Sequence, residues 1–100
     1  IETSGVDPIS GSPDWITLSP KRHQPPRAEL LAACHELKVV VHEANDLLFA
    51  DVAAAQAPQA SWLVQPGWQS PEGQQLAIHY AQSHAHWRLS LQSHKWLQVR

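Results

Sequence analysis

The chain has 100 residues, an apolar fraction of 43% and a formal net charge of −2. This length allows one small domain over residues 1–100, and the charge provides no basic surface for nucleic acid or an anionic membrane. The sequence contains no apolar run long enough to span a membrane, and its single cysteine, Cys34, cannot form an internal disulfide. These features favour a cytoplasmic domain.

The first half of the chain predicts two strands, a helix and a third strand. Residues 1–5 have the pattern of a strand tail and its turn, residues 6–13 form a Pro/Gly/Ser-rich loop, and residues 14–18 form a short strand. Pro25 and Pro26 lead into a helix of about ten residues with Leu30, Leu31 and Cys34 on one face. The β-branched run at 37–41 predicts a strand that is covered on both faces.

The second half continues the alternation of helices and strands. Asn45 or Asp46 is expected to cap a helix with four apolar residues on one face, namely Ala44, Leu48, Val52 and Ala55. Residues 61–65 predict a strand that ends at Pro66. Ser70 and Pro71 have the pattern of a helix start, and that helix turns Leu76, Ala77, Tyr80 and Ala81 inward. A final strand follows, in which Leu89 and Leu91 alternate with polar residues.

Alternating strands and helices predict an α/β fold with a parallel sheet built from βαβ repeats. All strands of such a sheet end at one edge, and ligands of α/β sheets bind there. Polar residues at the predicted strand ends would therefore share one rim: Thr3, Ser4, Ser19, Lys21, His42, Gln65, Gln92, Ser93, His94 and Lys95. The spacing alone leaves open whether they bind a ligand or only terminate strands.

Several segments carry a resemblance to a known family. They are ETSG at 2–5, WITLSPK at 15–21, CHELKVVV at 34–41, LL at 47–48, VQP at 64–66 and LSLQSHK at 89–95. In this order and spacing they resemble the C-terminal half of 7-carboxy-7-deazaguanine synthase, a radical S-adenosylmethionine (SAM) enzyme of queuosine and deazapurine biosynthesis. The resemblance implies half of a partial TIM-like barrel, and we expect the first strands of that barrel to lie before Ile1.

The resemblance also implies a reaction. The family cleaves SAM with a four-iron, four-sulfur cluster and converts 6-carboxy-5,6,7,8-tetrahydropterin to 7-carboxy-7-deazaguanine, assisted by Mg²⁺. Three closely spaced cysteines hold the cluster in the N-terminal half of the family. Cys34 is alone and sits on the apolar face of a predicted helix, where a buried structural role is expected. We therefore assign no catalytic residue and no metal ligand to the chain and expect it to be inactive alone.

The family's cofactor and substrate contacts map onto the rim. The resemblance implies that Thr3, Ser4, Ser19, Lys21 and Gln65 lie toward SAM. It implies that the pterin is bound by Gln92, Ser93, His94, Lys95 and Arg100, with the end of the chain folded over the site. A parallel sheet that begins with an incomplete strand has an unpaired edge. This edge predicts association, either as a homo-oligomer such as a dimer or with a partner that supplies the missing N-terminal half.

Two alternatives stay open. The alternation also fits a non-catalytic α/β binding module of receiver or flavodoxin type, although neither a cluster of acids at strand ends nor a flavin-phosphate loop is present. The other alternative is an interaction protein that docks on a separately encoded N-terminal half. A zinc site at His79, His84 and His86 is disfavoured by their spacing, and the tryptophans are not interleaved with basic residues as in nucleic-acid stacking platforms.

The single cysteine generates the first prediction. When the chain alone is incubated anaerobically with iron and sulfide, we expect no charge-transfer absorption, because cluster ligation needs several thiolates. Visible absorption spectroscopy after desalting measures this directly. A stable cluster that cleaves SAM would contradict the assignment of the cluster ligands to another part of the enzyme.

Overall fold

The computed structural model describes residues 1–7, 11 and 14–90. Within them the elements alternate along the chain, and their bounds are β1 (Glu2–Thr3), β2 (Thr17–Leu18), α1 (Ala28–Ala33), β3 (Glu36–Val41), α2 (Ala44–Ala55), β4 (Ser61–Pro66), α3 (Pro71–Ser83) and β5 (Trp87–Leu89). In the described part of the chain, no helix has the length and apolar character needed to cross a membrane.

The five strands form one parallel sheet in the order β1-β2-β3-β4-β5. Each strand therefore pairs with the next one in the chain, and every crossover moves in the same direction. Because such crossovers are right-handed, they bring the helices to one face of the sheet. This is the arrangement of an α/β barrel and differs from a doubly wound sheet, whose strand order reverses.

The burial of β3 shows which face the helices cover. Leu37, Val39 and Val41 are buried, whereas the alternate residues Glu36, Lys38 and Val40 are partly exposed. α2 packs on β3, and α3 packs on β4 and β5. The prediction that both faces of β3 are covered is thus wrong for the described residues. We call the side that carries Glu36, Lys38 and Val40 the open face.

The core lies between the sheet and the helices. Leu18, Leu37, Val39, Val41 and Val64 are fully buried and form its centre, and Leu30, Leu31 and Cys34 add the predicted apolar side of α1. That helix has six residues, fewer than predicted. The residues predicted to face inward on α3 do so: Ala77 and Tyr80 are buried, and Leu76 and Ala81 pack against the core.

The face assigned to α2 from the sequence is wrong. Leu48 and Val52 are 65% and 60% exposed, and Ala44 and Ala55 are exposed as well. The buried side consists mainly of Ala50, Ala53 and Ala54. Apolar residues occur all round this helix, so periodicity does not single out one face, and the small alanines allow the helix to approach the sheet closely.

The helix starts show one correct and one corrected prediction. Ser70 caps α3, because its hydroxyl accepts the Gly73 N–H at 3.0 Å, and Pro71 occupies the first turn. α2 is capped by Glu43, not by Asn45 or Asp46. Asp46 instead completes a reciprocal capping box with Glu43.

The tryptophans differ in their burial. Trp87 is buried and Trp62 packs against the core, but Trp15 is 50% exposed. Trp15 stacks on His35, with ring centroids 5.0 Å apart. The predicted strand at 14–18 is limited to Thr17 and Leu18, which explains why Trp15 lies outside the core.

Gly73 generates the second prediction. A Cβ at this position would lie 2.0 Å from the Val41 carbonyl oxygen, so α3 must shift if any side chain is added. Gly73→Ala gains about 1 kcal/mol of helix propensity, but the clash with backbone should outweigh it and lower the unfolding free energy by ~1–3 kcal/mol. Urea denaturation measures the change. The exposed helix variant Gln75→Ala should leave stability nearly unchanged, and equal curves for the two variants would contradict the close approach.

Candidate functional site

The open face divides into two parts along the strands. Toward the amino ends, polar side chains satisfy one another. The Thr17 hydroxyl donates to Glu36 at 3.1 Å and accepts from the indole N–H of Trp15 at 3.0 Å. The Lys38 ammonium donates to both carboxylate oxygens of Glu2, at 3.2 and 3.3 Å. These groups therefore bond to each other within the described part of the chain.

Gln65 lies further toward the carboxyl end of the same face. It pairs in register with Val40, one residue before the end of β4. Its side chain is buried, with 6% exposure, and its amide oxygen Oε1 has no hydrogen-bond partner among the described residues. An unsatisfied buried oxygen costs about 1–3 kcal/mol, and such groups in native proteins call for an explanation, such as a bound ligand or an ordered water. A ligand with an N–H or O–H donor would satisfy it.

Four other predicted residues lie at the carboxyl ends of the first two strands. Thr3 and Ser4 end β1, and the Thr3 hydroxyl accepts the Gly5 N–H at 3.1 Å. Ser19 follows β2 and joins it to β1, since its N–H donates to the Thr3 carbonyl at 2.7 Å. Lys21 is exposed two residues further on. The structure therefore places all five residues predicted to face SAM at one edge of the sheet.

The residues predicted to bind the pterin lie outside the described residues. They are Gln92, Ser93, His94, Lys95 and Arg100. β5 ends at Leu89, and the Ser90 N–H donates to the Val64 carbonyl at 2.8 Å, so the last described residue lies beside the end of β4 that carries Gln65.

A charged junction at this edge was missed by the sequence analysis. Arg22 lies 3.5 Å from Glu43 and 3.7 Å from Asp46, measured from guanidinium nitrogen to carboxylate oxygen. Asp46 also accepts the backbone N–H groups of His42 and Glu43 at 2.9 and 3.1 Å. The sequence offers only weak indications of this junction: Arg22 directly follows the predicted site residue Lys21, and Asp46 stands three residues after Glu43, which is the spacing of a capping box.

Comparison with known proteins identifies relatives of this chain. The chain is 51% identical to a 7-carboxy-7-deazaguanine synthase of Prochlorococcus marinus, in a match covering 99% of the chain and 52% of that protein. It is 39% identical to the synthase of Synechocystis sp., covering 100% of the chain and 49% of the relative. No protein-family model matches.

The chain is a homologue of the 7-carboxy-7-deazaguanine synthases. It spans about half the length of these relatives. The crystal structure of QueE from Escherichia coli superposes with a TM-score of 0.75 at 28% identity, covering 91% of this chain and 43% of that one. The predicted family resemblance and the α/β fold, as part of a TIM-like radical SAM barrel, are confirmed.

Cys34 is not suited to be a ligand of an iron–sulfur cluster. It is fully buried in the core, its thiol lies 3.5 Å from the Leu31 carbonyl, and burial raises the pKa of the thiol above its ordinary value. Cluster ligation needs an accessible thiolate. The described residues also contain no group of three or more His, Cys, Asp or Glu side chains placed to hold a metal ion.

A cavity of about 430 Å³ lies at the opposite end of the sheet from the rim. Trp62 and Trp87, from the starts of β4 and β5, form its aromatic wall beside Asp51 of α2. The hydroxyl of Tyr80 donates to Asp51, and burial followed by this hydrogen bond holds the pKa of Tyr80 well above its ordinary value. The cavity therefore lies at the amino ends of the strands. In α/β barrels, residues at this end contribute to stability, and catalytic residues lie at the opposite end.

Gln65 generates the third prediction. Gln65→Met keeps the length of the side chain and removes the unsatisfied oxygen, so the unfolding free energy of the chain should stay unchanged or rise by up to ~1 kcal/mol. Thermal unfolding measures this. Thr17→Val is the contrasting variant, since it removes a satisfied hydroxyl of the open face and should cost ~1–2 kcal/mol. A loss in Gln65→Met as large as in Thr17→Val would show that the protein itself holds the amide.

Proposed function

We propose that this chain forms the C-terminal part of a 7-carboxy-7-deazaguanine synthase, a radical SAM lyase that converts 6-carboxy-5,6,7,8-tetrahydropterin to 7-carboxy-7-deazaguanine in queuosine biosynthesis. The observation that carries the proposal is the similarity to the synthases over the whole chain, at 51% identity to one relative. The other half, with the cluster-binding cysteines, belongs to the part of the synthases that the chain does not match. We place the reaction in the cytoplasm, where a free thiol such as Cys34 persists.

The proposed SAM site consists of Thr3, Ser4, Ser19, Lys21 and Gln65. Their chemistry fits the cofactor, because hydroxyl and amide groups bind the hydroxyls of a ribose and the ammonium of an amino acid, and a lysine binds a carboxylate. The Gln65 amide oxygen supports this proposal, because it has no hydrogen-bond donor among the described residues and SAM carries N–H and O–H donors. SAM, when cleaved at the cluster, supplies the radical that abstracts hydrogen from the pterin.

The described residues contribute binding and exclusion and no acid–base step. A carbon radical attacks most groups within reach, so the task of the protein is to hold the two reactants in one orientation and to keep water and side chains away. The buried amide of Gln65 and the hydroxyls of the first two strand ends serve that task. Pterin binding by Gln92, Ser93, His94, Lys95 and Arg100 and assistance by Mg²⁺ remain part of the proposal, as does assembly into a homodimer.

A hybrid enzyme tests the proposed function. In the Prochlorococcus marinus synthase, the matching segment is replaced by residues 1–100 of this chain, and the purified hybrid is reconstituted with its cluster. We expect it to form 7-carboxy-7-deazaguanine from SAM and the pterin, detected by mass spectrometry. The parent synthase is the positive control, and the hybrid with Cys34→Ala should stay active because Cys34 is a core residue. A folded hybrid that holds its cluster and makes no product would contradict the proposal and favour a non-catalytic module.

A further inference from the structure

We propose that Arg22 is a positioning residue of this site, which fixes the loop after β2 to the junction between β3 and α2. The loop carries Ser19 and Lys21, so the position of Arg22 sets the position of two proposed SAM contacts. The inference rests on the proposed function for its ligand. It rests on the contacts of Arg22, Asp46 and His42 for its geometry.

Asp46 is the centre of the junction. One carboxylate oxygen, Oδ2, accepts the backbone N–H groups of His42 and Glu43, which are the first residues after β3. The other oxygen, Oδ1, faces Arg22 Nε at 3.7 Å, and the side chain of Asp46 is only 12% exposed. A single buried carboxylate therefore fixes the end of β3, the start of α2 and the β2 loop.

The guanidinium group of Arg22 has a second carboxylate partner. Its Nη2 lies 3.5 Å from Glu43 Oε2, so the two acids sit on different nitrogens of the same planar group. Its Nη1 is buried and has no hydrogen-bond partner among the described residues. Exposed ion pairs contribute little to stability, but a partly buried guanidinium with two carboxylates holds a defined orientation that a lysine cannot reproduce.

The junction also contacts the loop after β4. The His42 ring packs directly on Gly67, where an added Cβ would lie 2.2 Å from it. The Ser70 hydroxyl faces the His42 carbonyl at 3.5 Å, and the Gly67 N–H donates to the Val41 carbonyl at 2.8 Å. Gln65 is two residues before Gly67. The loops after β2 and β4, on either side of β3, are thus fixed to the same few residues.

The test uses the hybrid synthase with Arg22→Gln. We expect the KM for SAM to rise ~10-fold while kcat stays within ~2-fold, because a displaced loop weakens binding of the cofactor and leaves the reacting atoms of bound SAM at the cluster. Steady-state kinetics with varied SAM measure both constants. Arg27→Gln is the matched control, since Arg27 forms an exposed ion pair with Glu29 just before α1, and its KM should not change.

A second substitution tests the same contact from the other side. Asp46→Asn keeps an oxygen that can accept a backbone N–H but removes the charge that faces Arg22. It should raise the KM for SAM by a similar factor. The effect of the double variant should be clearly smaller than the sum of the two single effects, because both substitutions break the contact between Arg22 and Asp46. Additive effects of the two substitutions would show that Arg22 does not act through Asp46.

Hydrogen–deuterium exchange separates failure of this inference from failure of the proposed function. In Arg22→Gln, exchange should become faster at residues 19–24 and 42–46 and stay unchanged in α3, whether or not the hybrid turns over. An inactive parent hybrid contradicts the proposed function, and exchange then decides whether Arg22 holds the loop. Exchange and KM equal to those of Arg27→Gln, or a lower melting temperature with an unchanged KM, would overturn the positioning role.

Discussion

The sequential order of five parallel strands is the constraint on which the rest of the structure depends. Because every crossover is right-handed and advances by one strand, the helices share one face, and no described helix covers the other face. Leu37, Val39 and Val41 of β3 then lie on the helix side, and Glu36, Lys38 and Val40 lie on the open side. The same order brings all carboxyl ends to one edge. The place of the site therefore follows from strand order before any single side chain is considered.

Features that depend on neighbouring residues in the chain, such as helix starts, could be predicted from the sequence. Features that depend on contacts between distant elements, such as the buried face of a helix, could not. Ser70 followed by Pro71 fixed the start of α3, since a capping hydroxyl and a proline act locally. The face of α2 could not be predicted, because apolar residues surround that helix and only the packing distance to the sheet selects the alanines. The carboxyl ends of β2 and β4 were predicted closely enough to place Ser19 and Gln65 at the same edge of the sheet, although β2 is shorter than expected.

The candidate site divides in the same way. Its membership followed from the family resemblance and from the strand ends, but its supporting contacts did not. Arg22 and Asp46 are 24 positions apart, and no local motif links an arginine in one loop to the capping residue of a later helix. The second role of Asp46 was also not predicted. A sequence pattern assigns an aspartate near a helix start to capping alone, whereas here Oδ2 accepts backbone N–H groups at the helix start and Oδ1 faces Arg22 in the neighbouring loop.

Satisfied and unsatisfied polar groups are separated along the strands of the open face. Near the amino ends, Thr17, Glu36, Lys38 and Glu2 satisfy one another, so this part contributes to folding without a ligand. Near the carboxyl ends, Gln65 keeps a buried oxygen without a described partner, and the charged junction around Asp46 supports the loops beside it. The two parts depend on each other, because a polar group without a partner keeps its position only when rigid, self-satisfied contacts hold the backbone below it. Under the proposed function, the unsatisfied amide is a cost in stability that a bound ligand would offset.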